Sequence, residues 1–179
     1  MDSASLHKDH FYGLKKQLPK QFSALHRALN AVNSVFVAIR KECEQNNTPV
    51  LRRDELPSEL NQPLERFVRA AEEFLEDNKG SEWEQELLGL YFEALFYTRI
   101  AELYGEVYTT LLYRAGNDVV IKLFCLDPSA FLRESLDKGR AAVFFSATLV
   151  PLPYYREVLG GEGGKLLLLP SPFPLEKLG

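Results

Sequence analysis

Three small residues, Ser146-Ala147-Thr148, close the apolar run Ala141 to Phe145. Hydroxyl side chains at the carboxyl end of a strand suit a ligand-facing or coupling position better than a packing one. The same string also fits a strand that simply ends in a turn. Other candidate groups are less well arranged. His7, His10 and His26 have no further ligands at metal spacing, so no metal site is expected. Cys43 and Cys125 lie far apart and outside any C-x-x-C pair, so they read as half-buried thiols in a reducing compartment. Asp127-Pro128-Ser129 reads as a helix start capped by Asp127. The glycines around Glu162 form a turn without the spacing of a phosphate cradle. Lys15, Lys16, Lys20, Arg27, Arg40, Lys41, Arg52 and Arg53 make a basic set in the first third of the chain. Such a set is either a solvated helix face or a track for phosphates.

The elements that would position these groups are legible from periodicity. Phe11, Leu14, Leu18, Phe22, Leu25, Leu29, Val32, Phe36, Ile39 and Cys43 recur at steps of three or four. That spacing predicts an apolar helical stripe. Pro19 interrupts it and predicts a kink or a fresh helix start. Gln45 to Pro49 ends the helix, and a polar loop through Arg52, Arg53 and Pro57 follows. A second helix starts near Pro63 and closes at Asn78-Lys79-Gly80. Ser81 and Glu84 have the spacing of a capping box for a third helix. That helix, with Trp83, Leu87, Leu90, Phe92, Phe96 and Ile100, is apolar nearly all round and is expected to be central and buried on most sides. Trp83 and its tyrosines read as core rather than as a platform for bases.

After Gly105 the pattern becomes extended. Val107 to Tyr113 and Val119 to Leu126, joined through Gly116-Asn117, predict a β-hairpin. A helix carrying Phe131, Leu132 and Leu136 comes next, then a strand Ala141 to Phe145, a helix Pro153 to Leu159 and a strand Leu166 to Leu169. The expected fold class is α+β, mainly α. The expected domains are a helical one over 1–104 and a β-containing one over 105–179. Unpaired edges at Val119–Leu126 and Ala141–Phe145 would invite two copies to dimerise by strand pairing.

Composition narrows the function classes. An apolar fraction of 46% excludes a disordered chain. No apolar run approaches the length of a bilayer span and the opening residues are polar, so a cytoplasmic protein without membrane partners is expected. Charge is uneven. Residues 61–106 carry 4 Lys/Arg against 11 Asp/Glu, net −7, whereas residues 1–60 carry 9 against 7, net +2. The acidic middle would repel a nucleic-acid backbone, so any phosphate contact falls to local basic faces.

Taken in order, Leu123-Phe124-Cys125-Leu126-Asp127-Pro128-Ser129, Val143-Phe144-Phe145-Ser146-Ala147-Thr148-Leu149, Pro151, Tyr154-Tyr155, Leu159-Gly160 and Ser171-Pro172-Phe173 resemble a known series. The series is the region around motif III of superfamily 2 ATP-dependent DNA helicases of the XPD/DinG group. Ser3-Ala4-Ser5-Leu6 and the helix after it are similar, more loosely, to the start of the helical arch domain in that group. The resemblance implies a piece of a helicase polypeptide, from the arch through motif III of the first motor domain. Ser146, Ala147 and Thr148 would then couple ATP hydrolysis to strand movement, making no bonds themselves. Lys15, Lys16 and Lys20 would line the passage that encloses single-stranded DNA. The parent would use ATP and magnesium, and many members also hold an iron–sulfur cluster. The chain contains no G-x-x-x-x-G-K-[ST] phosphate loop and no DEAH box, so by itself it carries no cofactor and no ATPase activity. Its partners would be single-stranded DNA and the rest of the helicase. The alternative, from a different class, is a self-contained helical interaction or scaffold module that binds a partner helix.

Overall fold

The structure, a computed structural model, describes residues 3–144, 151–159 and 165. Its elements run β1 (Ala4–His7), α1 (Lys8–Gln17), α2 (Ser23–Gln45), β2 (Val50–Arg53), a 3-10 turn (Ser58–Leu60), α3 (Asn61–Asp77), α4 (Glu84–Glu102), β3 (Tyr108–Ala115), β4 (Asp118–Cys125), α5 (Ser129–Asp137) and α6 (Leu152–Val158). The fold is α+β and mainly α. One compact unit runs to Leu126 and a second begins at Asp127. No helix among the described residues is long and apolar enough to cross a membrane.

The helices follow the expected stripes. Leu18 precedes Pro19 and takes an extended conformation (φ −69°, ψ 129°). A residue before proline is disfavoured in the helical region, so the stripe breaks into two helices there. At the end of α2, Asn47 adopts φ +48° and the Thr48 amide donates to the Cys43 carbonyl at 3.1 Å. That bond and the left-handed asparagine form a helix C-terminal motif without glycine. The buried faces of α1, α2 and α3 meet through Phe11, Phe36 and Phe67, whose ring centroids lie 5.9 and 5.2 Å apart around Phe11. Phe22, Phe74 and Trp83 form a second aromatic cluster, with rings packed edge-on at 4.8 and 6.0 Å from Phe22. Trp83 is thus a packing residue. The capping box is incomplete, because the Glu84 carboxylate reaches back to the Gly80 amide while the Ser81 hydroxyl is buried without a partner.

The hairpin forms as the turn residues predict, with Gly116 at φ +64° between Ala115 and Asp118. Its surroundings differ from expectation. Two four-residue strands that periodicity does not reveal flank it, giving a four-stranded antiparallel sheet in the order β1-β4-β3-β2. Leu6 pairs with Ile121, and Leu51 with Leu112. The compact unit therefore extends past the expected boundary at residue 104, because the hairpin is paired on both sides by strands from the helical segment. Strand β4 is interior, so Val119–Leu126 is not an open edge. The outer strands are β1 and β2, each only four residues long, and β2 carries Arg52 and Arg53. Short, charged edges discourage pairing with another chain.

One sheet face carries Ala4, Leu6, Leu112, Ile121 and Leu123, all buried, and α2 and α4 pack against the sheet. The opposite face carries Ser5, Leu111, Tyr113, Lys122 and Phe124, which keep partial exposure. Helix α4 is buried on one face only, through Leu87, Leu90, Ala94, Tyr97 and Ile100. Leu88, Phe92, Phe96 and Leu103 are exposed, with Phe92 at 57% and Phe96 at 48%. Among the described residues the expectation of burial on most sides is not met, because α4 has neighbours on one side only. Periodicity shows that a helix is apolar all round; it does not show how many partners surround it.

The second unit is described through α5 and α6. Neither helix has a buried residue. Ala141–Phe144, expected to open a strand, is exposed and belongs to no strand, with Val143 at 83%. A buried parallel strand needs a partner on each side for its backbone groups, and the four strands of the described residues all belong to the first unit. The expected strand Leu166 to Leu169 lies outside the described residues.

Asp118 holds the start of α1. Its carboxylate accepts hydrogen bonds from His7 Nδ1 at 2.8 Å, from the Asp9 amide at 3.0 Å and from the Val119 amide at 2.8 Å. It caps the first turn of α1 through the Asp9 amide, 109 residues earlier in sequence. Replacing it leaves an uncapped helix N-terminus and a part-buried histidine without its acceptor. Asp118→Ala is expected to lower stability by about 2 kcal/mol. Hydrogen exchange at the first turn of α1 should rise more than at α3. Urea unfolding and amide exchange of the two proteins provide the check.

Candidate functional site

Helix α1 presents its apolar residues Phe11 and Leu14 to the core; Lys16 is exposed, and Lys8 and Lys15 are half-buried. Tyr12 lies on the outward face and is 39% exposed. Three ammonium groups surround its ring: Lys8 at 5.3 Å from the centroid, Lys15 at 5.9 Å and Lys16 at 4.6 Å. Helical spacing produces this, since residues four apart lie one above the other. Lys8 also donates to Asp9 at 3.3 Å. Lys15 and Lys16 have no carboxylate within ion-pair distance among the described residues. Lys20 lies outside the cluster, exposed in the turn between α1 and α2. The structure thus brings together two of the three lysines singled out from sequence and adds Lys8 and Tyr12. The missed pair was legible as Lys8-x-x-x-Tyr12-x-x-x-Lys16, two successive helical steps on one face.

The neighbouring groups fix α1 rather than extend this cluster. His10 Nδ1 and Glu93 of α4 are 2.9 Å apart, and Gln17 donates to Glu86 of α4 at 3.3 Å. His7 and His10 stack with ring centroids 4.8 Å apart, each engaged by its own carboxylate. His26 engages the Leu18 carbonyl at 2.9 Å. All three histidines therefore have structural partners.

A surface cleft of about 440 Å³ lies between the end of α2 and the β3–β4 turn, lined by Cys43, Glu44, Asn47, Arg114 and Gly116. Arg114 and Arg40 both point at Glu44, at 3.6 and 3.2 Å, so the cationic groups there are already engaged by a carboxylate. Burial pushes the Cys43 thiol pKa up and the Glu42 charge adds to the rise, against an opposing pull from Arg114. A thiol so placed carries little thiolate at neutral pH and is a poor nucleophile.

In the second unit, Asp127 Oδ1 accepts the Ser129 amide at 2.9 Å at the head of α5. The Ser129 hydrogen bonds hold the Asp127 carboxyl below its ordinary value. Asp127 was expected to cap the helix; instead Pro128 holds the N-cap position of α5 without a side-chain cap bond, and Asp127 forms a local turn with the Ser129 amide. Ser146, Ala147 and Thr148 lie outside the described residues.

No family model matches the chain. A curated relative, the ATP-dependent DNA helicase CHL1 of Coccidioides immitis (strain RS), is 24% identical over 146 residues. The match supports a helicase-family relationship. It covers 82% of this chain and 17% of the relative, and it does not separate one helicase subtype from another.

The raised Cys43 pKa has a chemical consequence. In the folded chain at pH 7.5, iodoacetamide is expected to label Cys43 at least about tenfold more slowly than in urea, since both exposure and thiolate fraction are reduced. Mass spectrometry of the Cys43 peptide over time measures both rates.

Proposed function

We propose that this chain is part of an ATP-dependent DNA helicase of the XPD/DinG type. It contributes a helical arch beside the path of single-stranded DNA and the motif III strand that couples ATP hydrolysis to unwinding. The observation that carries this reading is the match to a DNA helicase over 82% of the chain, at a length that is 17% of that relative. The order of CLDPS, SATL, LG and SPF strings along residues 123–173 supports the motif III assignment. The exposed apolar residues of the second unit are what a piece of a larger sheet would present.

The division of labour follows from chemistry. A strand-end serine and threonine can exchange hydrogen bonds between two states of their neighbours, which makes Ser146 and Thr148 coupling residues. Lys15 and Lys16, with Lys20 in the following turn, supply charge to a phosphate backbone without reading sequence. ATP and magnesium would be held by the phosphate loop and DEAH box of the full-length polypeptide, neither of which is in this chain.

A second reading has one observation in its favour. The stripe Leu88, Phe92, Phe96 and Leu103 on α4 is a face on which a partner helix could lie, as an interaction module would need. The two readings separate in the full-length polypeptide. Under the helicase reading its sequence contains a phosphate loop and a DEAH box ahead of this segment, and Thr148→Ala keeps ATP and DNA binding while slowing unwinding about tenfold or more. Strand-displacement and nucleotide-binding assays on that variant measure the split. Unwinding at the unmodified rate would remove the coupling role, and absence of both motifs would favour the interaction module.

A further inference from the structure

We propose that Tyr12 is a stacking site for one unpaired base of single-stranded DNA, with Lys8, Lys15 and Lys16 holding the phosphates on either side of that base. The proposal rests on the strand-binding reading above and names the side chain that would engage a base.

Three features of α1 carry it. The first is the ring itself: Tyr12 stands on the outer face of a helix whose opposite face, Phe11 and Leu14, is fully buried. Tyr12 is not among the buried core residues and keeps 39% of its surface exposed. The second is the charge around it. Three ammonium groups lie within 6 Å of one ring centroid, and two of them have no carboxylate partner among the described residues. Each cation gains a little from the ring quadrupole, about 0.5–1 kcal/mol at an exposed site. Like charges gathered around a single ring also repel one another; Asp9 offsets part of that repulsion at Lys8, and an external anion would relieve the rest at Lys15 and Lys16. The helix dipole favours Lys15 and Lys16 in the last turn, but it disfavours Lys8 at the first helical position. Stability of the helix does not account for the cluster.

The third feature is the chemistry that satisfies both groups at once. A free phosphate or a polyanionic sugar would engage the ammonium groups and leave the ring unused. A duplex has its bases stacked inside, beyond the reach of a helix-surface tyrosine. A single strand offers an unstacked base and flanking phosphates, which matches an aromatic face set among cations. The net −7 of residues 61–106 would repel the strand from that segment. In the unliganded chain the ammonium groups sit over the ring. On binding they move to the phosphates and a base takes the ring face.

The test uses the full chain and two fluorescein-labelled probes of equal length and charge, about 15 nucleotides each: oligodeoxythymidylate and an abasic phosphodiester oligomer. Circular dichroism confirms that each variant is folded, which is expected because Tyr12 is outside the core. The unmodified chain should bind the thymidylate more tightly than the abasic probe. Tyr12→Ala should weaken thymidylate binding about tenfold and leave abasic binding unchanged, while Tyr12→Phe should behave as the unmodified chain. Lys15→Gln/Lys16→Gln should weaken both probes and lower the slope of log affinity against log salt by about 1–2. Equal thymidylate binding by Tyr12→Ala and the unmodified chain, with the lysine variant still weakened, would overturn stacking and leave strand binding in place. Failure of the unmodified chain to bind either probe would overturn strand binding itself.

Discussion

The carboxylate of Asp118 is the contact on which the placement of the basic surface depends. It sits at the first residue of β4 and accepts from His7, Asp9 and Val119, so one side chain joins the start of the hairpin's return strand to the start of α1. No loop separates β1 from α1: His7 ends one and Lys8 begins the other. The register of β1 against β4 therefore sets the rotation of α1 about its axis. With Leu6 opposite Ile121, Phe11 and Leu14 fall toward the helices and the sheet, Tyr12 and Lys16 fall outward, and Lys8 lies half-buried at the edge of that face. A slip of one residue in β1 would turn Leu6 out of the core. Core packing and surface chemistry are thus fixed by the same short strand.

On the other side of the sheet, Arg53 does comparable work. At the end of β2 its guanidinium bonds Glu42 of α2 and, at 2.7 Å, Glu59 of the 3-10 turn that leads into α3. Thr109 and Thr110 of β3 are buried, and their hydroxyls donate to the Arg53 and Glu55 carbonyls at 3.1 and 2.9 Å. The loop that looked polar and unstructured in sequence is therefore stitched to β3 along its length. Both outer strands are held by polar contacts as well as by ladder bonds, which suits strands too short to be stable by pairing alone.

Legibility in the sequence tracked how much of each element's environment is local. The stripes of α1, α2 and α3, the break at Pro19, the end of α2 and the Gly116-Asn117 turn all depend on neighbours within a few residues, and periodicity and turn chemistry revealed them. Strands β1 and β2 offer only two or three inward side chains each. Four residues such as Ala4-Ser5-Leu6-His7 carry too little alternation to stand out, and what makes them strands is a hairpin more than fifty residues away. The exposed side of α4 was misjudged for the same reason, since the number of partners around a helix is a property of the whole unit. In the candidate site, Lys15 and Lys16 are visible as charge, whereas a single tyrosine such as Tyr12 carries no charge and stands outside the apolar stripe, so it does not stand out.

The surfaces left over bear on what the chain belongs to. A self-sufficient unit of this size would place large apolar side chains inside, yet Phe92, Phe96, Leu88 and Leu103 face out along one helix, and Phe124 and Leu126 are exposed at the end of the hairpin. Exposed apolar residues scattered singly are ordinary, but residues aligned on one helix face mark a contact surface. Residues 61–106, which contain that helix, carry the net −7, and two copies meeting there would bring like charges together. Self-association through α4 is therefore opposed by the same side chains that flank the apolar stripe. A neighbour with neutral or basic flanks meets no such penalty.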